Sequence, residues 1–408
     1  MDRLCPVAED GKPAPPALTL GAVLRAFLSA AAAVLKLGAR PWRVLRLLAA
    51  CGTPALGANL YRCAGCQAWH FGPRSCGDRH CPRCLAAQSG QWLQAQLDSL
   101  LPIPYYHCVF TLPQELHALV LLNPTRLYPL LFDCASQALL AFGRNRLGGD
   151  LGITAVLHTW GQQLNFHPHL HCIVTGGALR ADGQRWREPK QRKFLFPVRA
   201  VAALFRGKFL HGLKRLLDAP ELLRRPAAWP RSEPARRQWL SHLYAQRWVV
   251  YAKRPFGGPE QVLGYLAHYT HRVAISNRRL VALDREQQTV TFRYRDYRHA
   301  AKVKTLTLSA VEFVRRFSWH ILPAGLVRIR HYGILANNRR QRDLARARAL
   351  LERRGRRRRH PPQPVTVSPP RPLLRCPHCG HEGLRWIGWL DAHGRTHLKA
   401  PVPLCDSS

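Results

Sequence analysis

Apolar positions between residues 18 and 50 recur at helical spacing and are interleaved with basic ones, starting Leu18-Thr19-Leu20-Gly21-Ala22-Val23-Leu24-Arg25. The pattern predicts a helical lead-in. Pro41 should open a second helix, because proline suits the first turn, where its missing N–H removes no bond. From residue 102 the texture becomes mixed α and β. Tyr105 to Leu112 is a β-rich run stopped by Pro113, and residues 115 to 145 read as helical with breaks at Pro124 and Pro129. Gly152 to Trp160 and His169 to Val174 read as two further strands joined by a turn. After Gly176-Gly177, a basic stretch through Arg185, Arg187, Lys190, Arg192 and Lys193 leads into a helix from Val198 to Leu217. Residues 218 to 240 are rich in Pro and Arg and read as a surface insertion, after which Trp248 to Tyr251 resumes the sheet.

Within this frame one strand carries candidate chemistry. Side chains two apart share a face of a strand, so His169 and His171 present two imidazoles side by side while Leu170 turns toward the core. That is half of a metal site. Strand adjacency brings His158 next to the pair and makes it the candidate third ligand. His167 is on the same face, but Pro168 interrupts regular pairing there and favours a packing or DNA-contact role. Further along, Pro259 and Glu260 open a helix after Gly257-Gly258, and Tyr265 and Tyr269 stand one turn apart on it. Taken singly these are ordinary features, a histidine pair bonded inside a core and a tyrosine packing stripe. Taken together, a cation on a strand beside tyrosine hydroxyls is the equipment for attacking a phosphodiester with a phenol oxygen, which leaves the DNA end on the protein. His268 and His271 flank Tyr269 and could deprotonate it or bind phosphate.

Charge names the partner. Lys and Arg number 62 against 23 Asp and Glu, a formal net charge of +39, the sign that phosphate backbones attract. The N-terminal residues include Asp2, Glu9 and Asp10 and do not read as a signal peptide, and no apolar run has transmembrane length. No membrane partner is expected, and the chain reads as cytoplasmic and nucleoid-associated. Thirteen cysteines, several paired two residues apart, argue for zinc rather than disulfides inside a cell. Cys63, Cys66, Cys81 and Cys84 form two knuckles whose spacing suits one tetrahedral Zn²⁺, with Cys76 and His80 as spare donors. Arg79 and Arg83, with Arg62 and Arg74, would let this module touch DNA. A like-charge tract from Arg353 to Arg359 and a Pro-rich stretch from Pro361 to Pro372 precede a single knuckle, Cys376 and Cys379, whose partners could be His393, His397 or Cys405.

Several blocks in order carry a resemblance. Val109-Phe110-Thr111-Leu112-Pro113, Leu157-His158-Thr159-Trp160-Gly161, His167 to His171, Lys253 to Pro259, Tyr265 to Tyr269, Thr270 to Asn277, Glu312 to Phe317, and Ile329 to Gly333 are similar, with the cysteine knuckles, to the signature blocks of rolling-circle transposases of the insertion-sequence-ninety-one family. The likeness runs from about residue 20 to 340. It implies an α+β fold with a central antiparallel sheet flanked by helices, the core of endonucleases with a His-hydrophobe-His motif, behind a small N-terminal zinc module. It also implies Mg²⁺ or Mn²⁺ at His169 and His171, Tyr265 and Tyr269 as nucleophiles, and cleavage of single-stranded DNA at insertion-sequence ends through a 5′-phosphotyrosine. Arg272, Arg315, Arg316 and Arg330 lie in matching blocks and are the candidate DNA contacts there. The division expected is a zinc-binding recognition module over residues 1–100, a nuclease and strand-transferase core over 101–340, and a basic tail over 341–408. A plasmid or phage replication initiator or a relaxase would share the histidine and tyrosine site, and a zinc-dependent regulator is the non-enzymatic alternative. No P-loop motif appears, which disfavours helicase-bearing versions. The sequence leaves a homo-oligomer open.

Overall fold

A computed structural model describes residues 18–85, 99–190, 195–219, 224–253, 273–297, 299–355 and 375–398. They form two compact units, neither continuous in sequence. The first comprises the described residues between 99 and 253 and from 319 to 355. Its framework is a five-stranded sheet of β1 (Tyr105–Thr111), β2 (Gly152–Trp160), β3 (Phe166–Thr175), β4 (Val250–Lys253) and β5 (Ile329–Gly333). The order across the sheet is β5-β2-β3-β1-β4, and every neighbouring pair is antiparallel.

The two-residue period of the strands divides the sheet chemically. Cys108, Phe110, Ala155, Leu157, Leu170 and Cys172 point to one face and belong to the hydrophobic core. The helix Pro124–Leu147 buries Leu127, Tyr128, Leu131, Phe132, Ala135, Ala138 and Leu139, at the spacing of three and four that keeps one helical face inward. Pro124 occupies its first turn, where it starts the helix instead of breaking one, and Pro129 lies within the helix without ending it. The helix Val198–Leu217, at its expected bounds, supplies Phe205 and Phe209, and rings of Phe110 and Trp248 meet Phe205 edge-on at 5.0 and 5.4 Å between centroids. The expected surface insertion holds an additional helix, Glu233–Ala245, capped by Ser232, whose Oγ accepts from the Ala235 N–H at 3.3 Å. It buries only Leu243, so its apolar signal is faint.

In the second unit, residues 18–85, 273–297, 299–318 and 375–398 come together. The helix Leu20–Val34, capped by Thr19, packs against Ala39–Ala50 and against Ala310–Ser318. A four-stranded antiparallel sheet runs in the order Thr396–Leu398, Leu384–Leu390, Ala58–Cys63, Trp69–Pro73. Leu384–Leu390 pairs along the whole of Ala58–Cys63, from Ala58 opposite Leu390 to Cys63 opposite Leu384. A second antiparallel sheet joins Leu280–Asp284, Thr289–Asp296 and Lys302–Ser309. Residues 341–408 are therefore no single tail: the helix Arg340–Glu352 belongs to the first unit and 375–398 to the second. The architecture is α+β, with antiparallel sheets flanked by helices and a cysteine-rich module that includes the N-terminal region. Among the described residues no helix is long and apolar enough to cross a membrane.

Candidate functional site

Histidines gather on the sheet face that turns away from the hydrophobic core. The register sets His169 of β3 directly opposite His158 of β2, and places His171 opposite Val156 of β2 and Val109 of β1. One ligand nitrogen from each of His158, His169 and His171 lies within 4.8 Å of the other two. The Nε2 atoms of His169 and His171 are 3.1 Å apart, close to the separation of about 3.0 Å for two nitrogens bound side by side at about 2.1 Å to an octahedral ion. His169 Nδ1 lies 2.7 Å from the His167 carbonyl, to which it can only donate, so its Nε2 lone pair faces the cluster. The His158 ring stacks on Trp160 at 4.6 Å, which restrains its orientation. No carboxylate joins the cluster among the described residues.

Burial, followed by the neighbouring His167, pushes the His169 imidazole down to about 4. It is thus neutral and able to ligate at ordinary pH. His167 is itself held low by burial, then by His117, whose ring lies 5.8 Å away. Its proline neighbour acts as the sequence suggests: β2 and β3 pair regularly up to His158 and His169, and the register shifts between His158 and Trp160. His107 of β1 escaped the sequence reading. Its Nε2 is 2.9 Å from His171 Nδ1 and the two rings stack at 5.1 Å, so it is placed to orient His171 through the nitrogen opposite the cluster. The signal was present as a polar residue inside the apolar run of β1, two residues before Val109.

The cysteines divide differently from the expected set. Cys51, Cys76, Cys81 and Cys84 form one group, and Cys63, Cys66, Cys376 and Cys379 another. Cys63 and Cys66 are not brought to Cys81 and Cys84. The reason is the hairpin of Ala58–Cys63 and Trp69–Pro73: the knuckle lies at its turn, whereas Cys51 and Cys76 flank its open end, a strand length of about 17 Å at about 3.3 Å per residue. Gly52 and Arg74 close that end through an N–H···O bond of 3.0 Å, and the Cys76 N–H donates to Cys51 Sγ at 3.5 Å. The spare donor Cys76 thus belongs to the first group, while His80 is bonded instead to Asp78 at 2.7 Å. In that group, Cys84 is driven well below the ordinary thiol range because Cys51, Cys76 and Cys81 bond to it. For Cys376 and Cys379, neither His393 nor His397 joins the group among the described residues. His397 stacks on Trp389 at 4.9 Å and contacts Asp391 at 3.3 Å, and Cys405 lies outside the described residues.

Tyr265, Tyr269, His268, His271 and Arg272, with the helix expected to carry them, also lie outside the described residues. Among the other arginines, Arg315 and Arg316 both engage Glu312 on their own helix, Arg316 Nε at 2.6 Å. Arg330 is opposite Ala155 of β2 and its guanidinium lies over the Phe132 ring at 4.4 Å, which puts it on the core face and not with the histidines. Arg79 is flanked by Asp78 and Arg40, and burial lowers its pKa first. The Arg83 guanidinium packs against Gly52, beside the first cysteine group.

These features fall within recognisable families. Residues 152–342 match a family model described as putative transposase, and residues 23–112 match one described as transposase zinc-binding domain. A putative transposase, y4qJ, of Sinorhizobium fredii is 45% identical over 312 residues, 76% of this chain and 78% of that protein. The transposase for insertion sequence element IS801 of Pseudomonas savastanoi pv. phaseolicola is 31% identical over 298 residues, 71% of this chain and 68% of its own length. A solved structure of TrwC complexed with a 27-mer DNA overlaps 27% of this chain and 44% of that chain at 15% identity and a TM-score of 0.21. On the two transposase relatives and the two matched family models, the chain belongs to the insertion-sequence transposases of the insertion-sequence-ninety-one family, with a zinc-binding domain.

Proposed function

We propose that this transposase nicks and rejoins single-stranded DNA at insertion-sequence ends through a 5′-phosphotyrosine formed by Tyr265 or Tyr269, beside a divalent cation held by His158, His169 and His171. The convergence of the three imidazoles on one sheet face supports this reading most. A bound Mg²⁺ or Mn²⁺ would supply positive charge at the scissile phosphate and help align it. The donor set is all nitrogen, which suits Mn²⁺ better than the oxygen-preferring Mg²⁺, so Mn²⁺ should support cleavage at lower concentration.

The residues of the chain supply the rest. His169 presents a neutral lone pair, and His107 keeps His171 turned toward its partners. The attacking phenol gives up its proton as its oxygen forms a new P–O bond, and the 3′-oxygen of the cut strand leaves and takes up a proton in its place. The phosphotyrosine conserves the bond, so a 3′-hydroxyl can reverse the step without an external energy source. Two tyrosines let one hold a strand end while the other cuts again, which suits a rolling-circle mechanism. DNA affinity comes mainly from the net positive charge, and a structural zinc at Cys51, Cys76, Cys81 and Cys84 shapes the recognition module.

Cleavage of a single-stranded oligonucleotide spanning an insertion-sequence end tests the reading. The chain should cut it only with Mn²⁺ or Mg²⁺, and His169→Ala and His171→Ala should abolish the cut while DNA binding persists. Full cutting by either variant would remove the histidines from the mechanism.

A further inference from the structure

We propose that Cys63, Cys66, Cys376 and Cys379 hold a second zinc ion, which fastens the C-terminal segment 375–398 onto the N-terminal module. Neither matched family model reaches the C-terminal pair, since the matches end at residues 112 and 342. The geometry points to a tetrahedral thiolate site. Four sulfurs at about 2.3 Å from one zinc stand about 3.8 Å apart. Cys63 Sγ lies 3.7 Å from Cys379 Sγ, and Cys66 Sγ lies 3.6 Å from Cys376 Sγ. The first group shows the same spacing, with Cys51 3.7 Å from Cys84 and 3.6 Å from Cys81, and Cys76 3.6 Å from Cys84. These separations are far beyond the length of about 2.05 Å of a disulfide, and Cys63 and Cys376 are almost wholly buried.

The two knuckles are built alike. The residue after the second cysteine is left-handed in both, Gln67 at φ 60° and Gly380 at φ 72°, which turns the chain back around the sulfurs. The Cys66 N–H donates to Cys63 Sγ at 3.5 Å, and the C-terminal knuckle closes with Gly380 N–H to the Cys376 carbonyl at 2.8 Å and Cys376 N–H to the His381 carbonyl at 2.9 Å. They are also joined to each other. The Ala64 N–H donates to the Gly383 carbonyl at 3.0 Å, and the His381 ring packs over Gly65, where a Cβ would meet it at 3.0 Å. His70 Nε2, 3.1 Å from Cys376 Sγ, is placed to donate to a thiolate, as partners around metal ligands commonly do. The strand pairing of Leu384–Leu390 on Ala58–Cys63 brings the second knuckle to the first.

This site closes the chain over a long span, because Cys63 and Cys379 are 316 positions apart. Ligation between such distant segments removes freedom from the unfolded chain, where long loops gain most. The cysteine module is then complete only after residue 379 has been made, with the described residues of the unit that carries the five-stranded sheet, between 99 and 355, lying between its two knuckles in sequence.

Zinc content of the full-length chain, purified under reducing conditions, tests this directly. Two zinc ions per chain are expected, falling to one in the Cys376→Ser, Cys379→Ser double variant. Cobalt replacement in the unmutated chain checks the count without relying on a variant that folds: two equivalents should develop the intense thiolate-to-cobalt absorption. One zinc in the unmutated chain, two in the double variant, or saturation of that absorption at one equivalent would overturn the proposal. So would an unreduced intact mass showing disulfides at these four cysteines.

Discussion

The histidine face and the cysteine module hold their donors in opposite ways. His169 and His171 come from a single strand, and His158 from its hydrogen-bonded neighbour, so their meeting is fixed by the register of two adjacent strands and maintained by the core on the other face. The first cysteine group draws on the end of a helix, an open hairpin end and the start of a helical run at residue 82, and the second joins segments more than three hundred residues apart. A donor set carried by a buried sheet is positioned before any ion arrives, whereas one gathered from loops depends on the ion for its own order. Loss of the ion should therefore have different consequences at the two places.

Removing ligands separates the two most strongly. Cys51→Ser should release the first zinc and unfold the surrounding module, since structural zinc sites of this kind contribute on the order of 10 kcal/mol or more to folding. Zinc analysis with limited proteolysis would show it, and a variant that loses zinc yet resists protease would erase the distinction. His169→Ala or His171→Ala should leave the fold almost unchanged and reduce cleavage by about a thousandfold or more, the equivalent of several kcal/mol of charge stabilisation.

His107→Ala should be milder. The loss of its contact with His171 should weaken cation binding by about 10- to 100-fold, read as a rightward shift of the Mn²⁺ dependence of cleavage, while saturating Mn²⁺ restores most of the rate. Glutamine at this position can accept from His171 Nδ1 and should recover part of the shift. An unchanged Mn²⁺ curve in His107→Ala would reduce the residue to core packing.

The smallest effect is in acid. His169 and His331 both fall from an ordinary 6.5 to about 4 in the folded chain, chiefly through burial. Between those values the unfolded chain binds more protons, so their contribution to stability is complete above about pH 6.5 and is lost as pH falls toward 4. Thermal melts of the cation-free chain should decline through that window. A melting temperature unaffected between pH 6.5 and 4.5 would show that neither ring is buried in neutral form.

The same contrast explains what could be read from sequence. Strand period and order alone were enough to place His158 beside His169 and His171, because antiparallel neighbours couple in register. Two Cys-x-x-Cys pairs suggested one ion by their spacing, but sequence spacing carries no information about which end of a hairpin each pair occupies. Cys51 stands alone in sequence and offered no knuckle to recognise, and the pairing of Leu384–Leu390 with Ala58–Cys63 is a long-range event that no local pattern announces. His107 went unnoticed because it completes a contact between strands instead of a motif. The helix Glu233–Ala245 was hidden among prolines and arginines because it turns so little apolar surface inward.

The measurement that tests the central claim most directly is recovery of the covalent protein–DNA adduct from a single-stranded substrate, followed by peptide mapping. The account predicts a 5′-phosphotyrosine on Tyr265 or Tyr269, formed only with the divalent cation, absent from the double Phe variant and from His169→Ala. A single Phe variant should still nick but fail to complete transposition. DNA mapped to Tyr251, Tyr294 or any tyrosine outside the pair, or an adduct that forms as readily without the cation or the histidines, would contradict it.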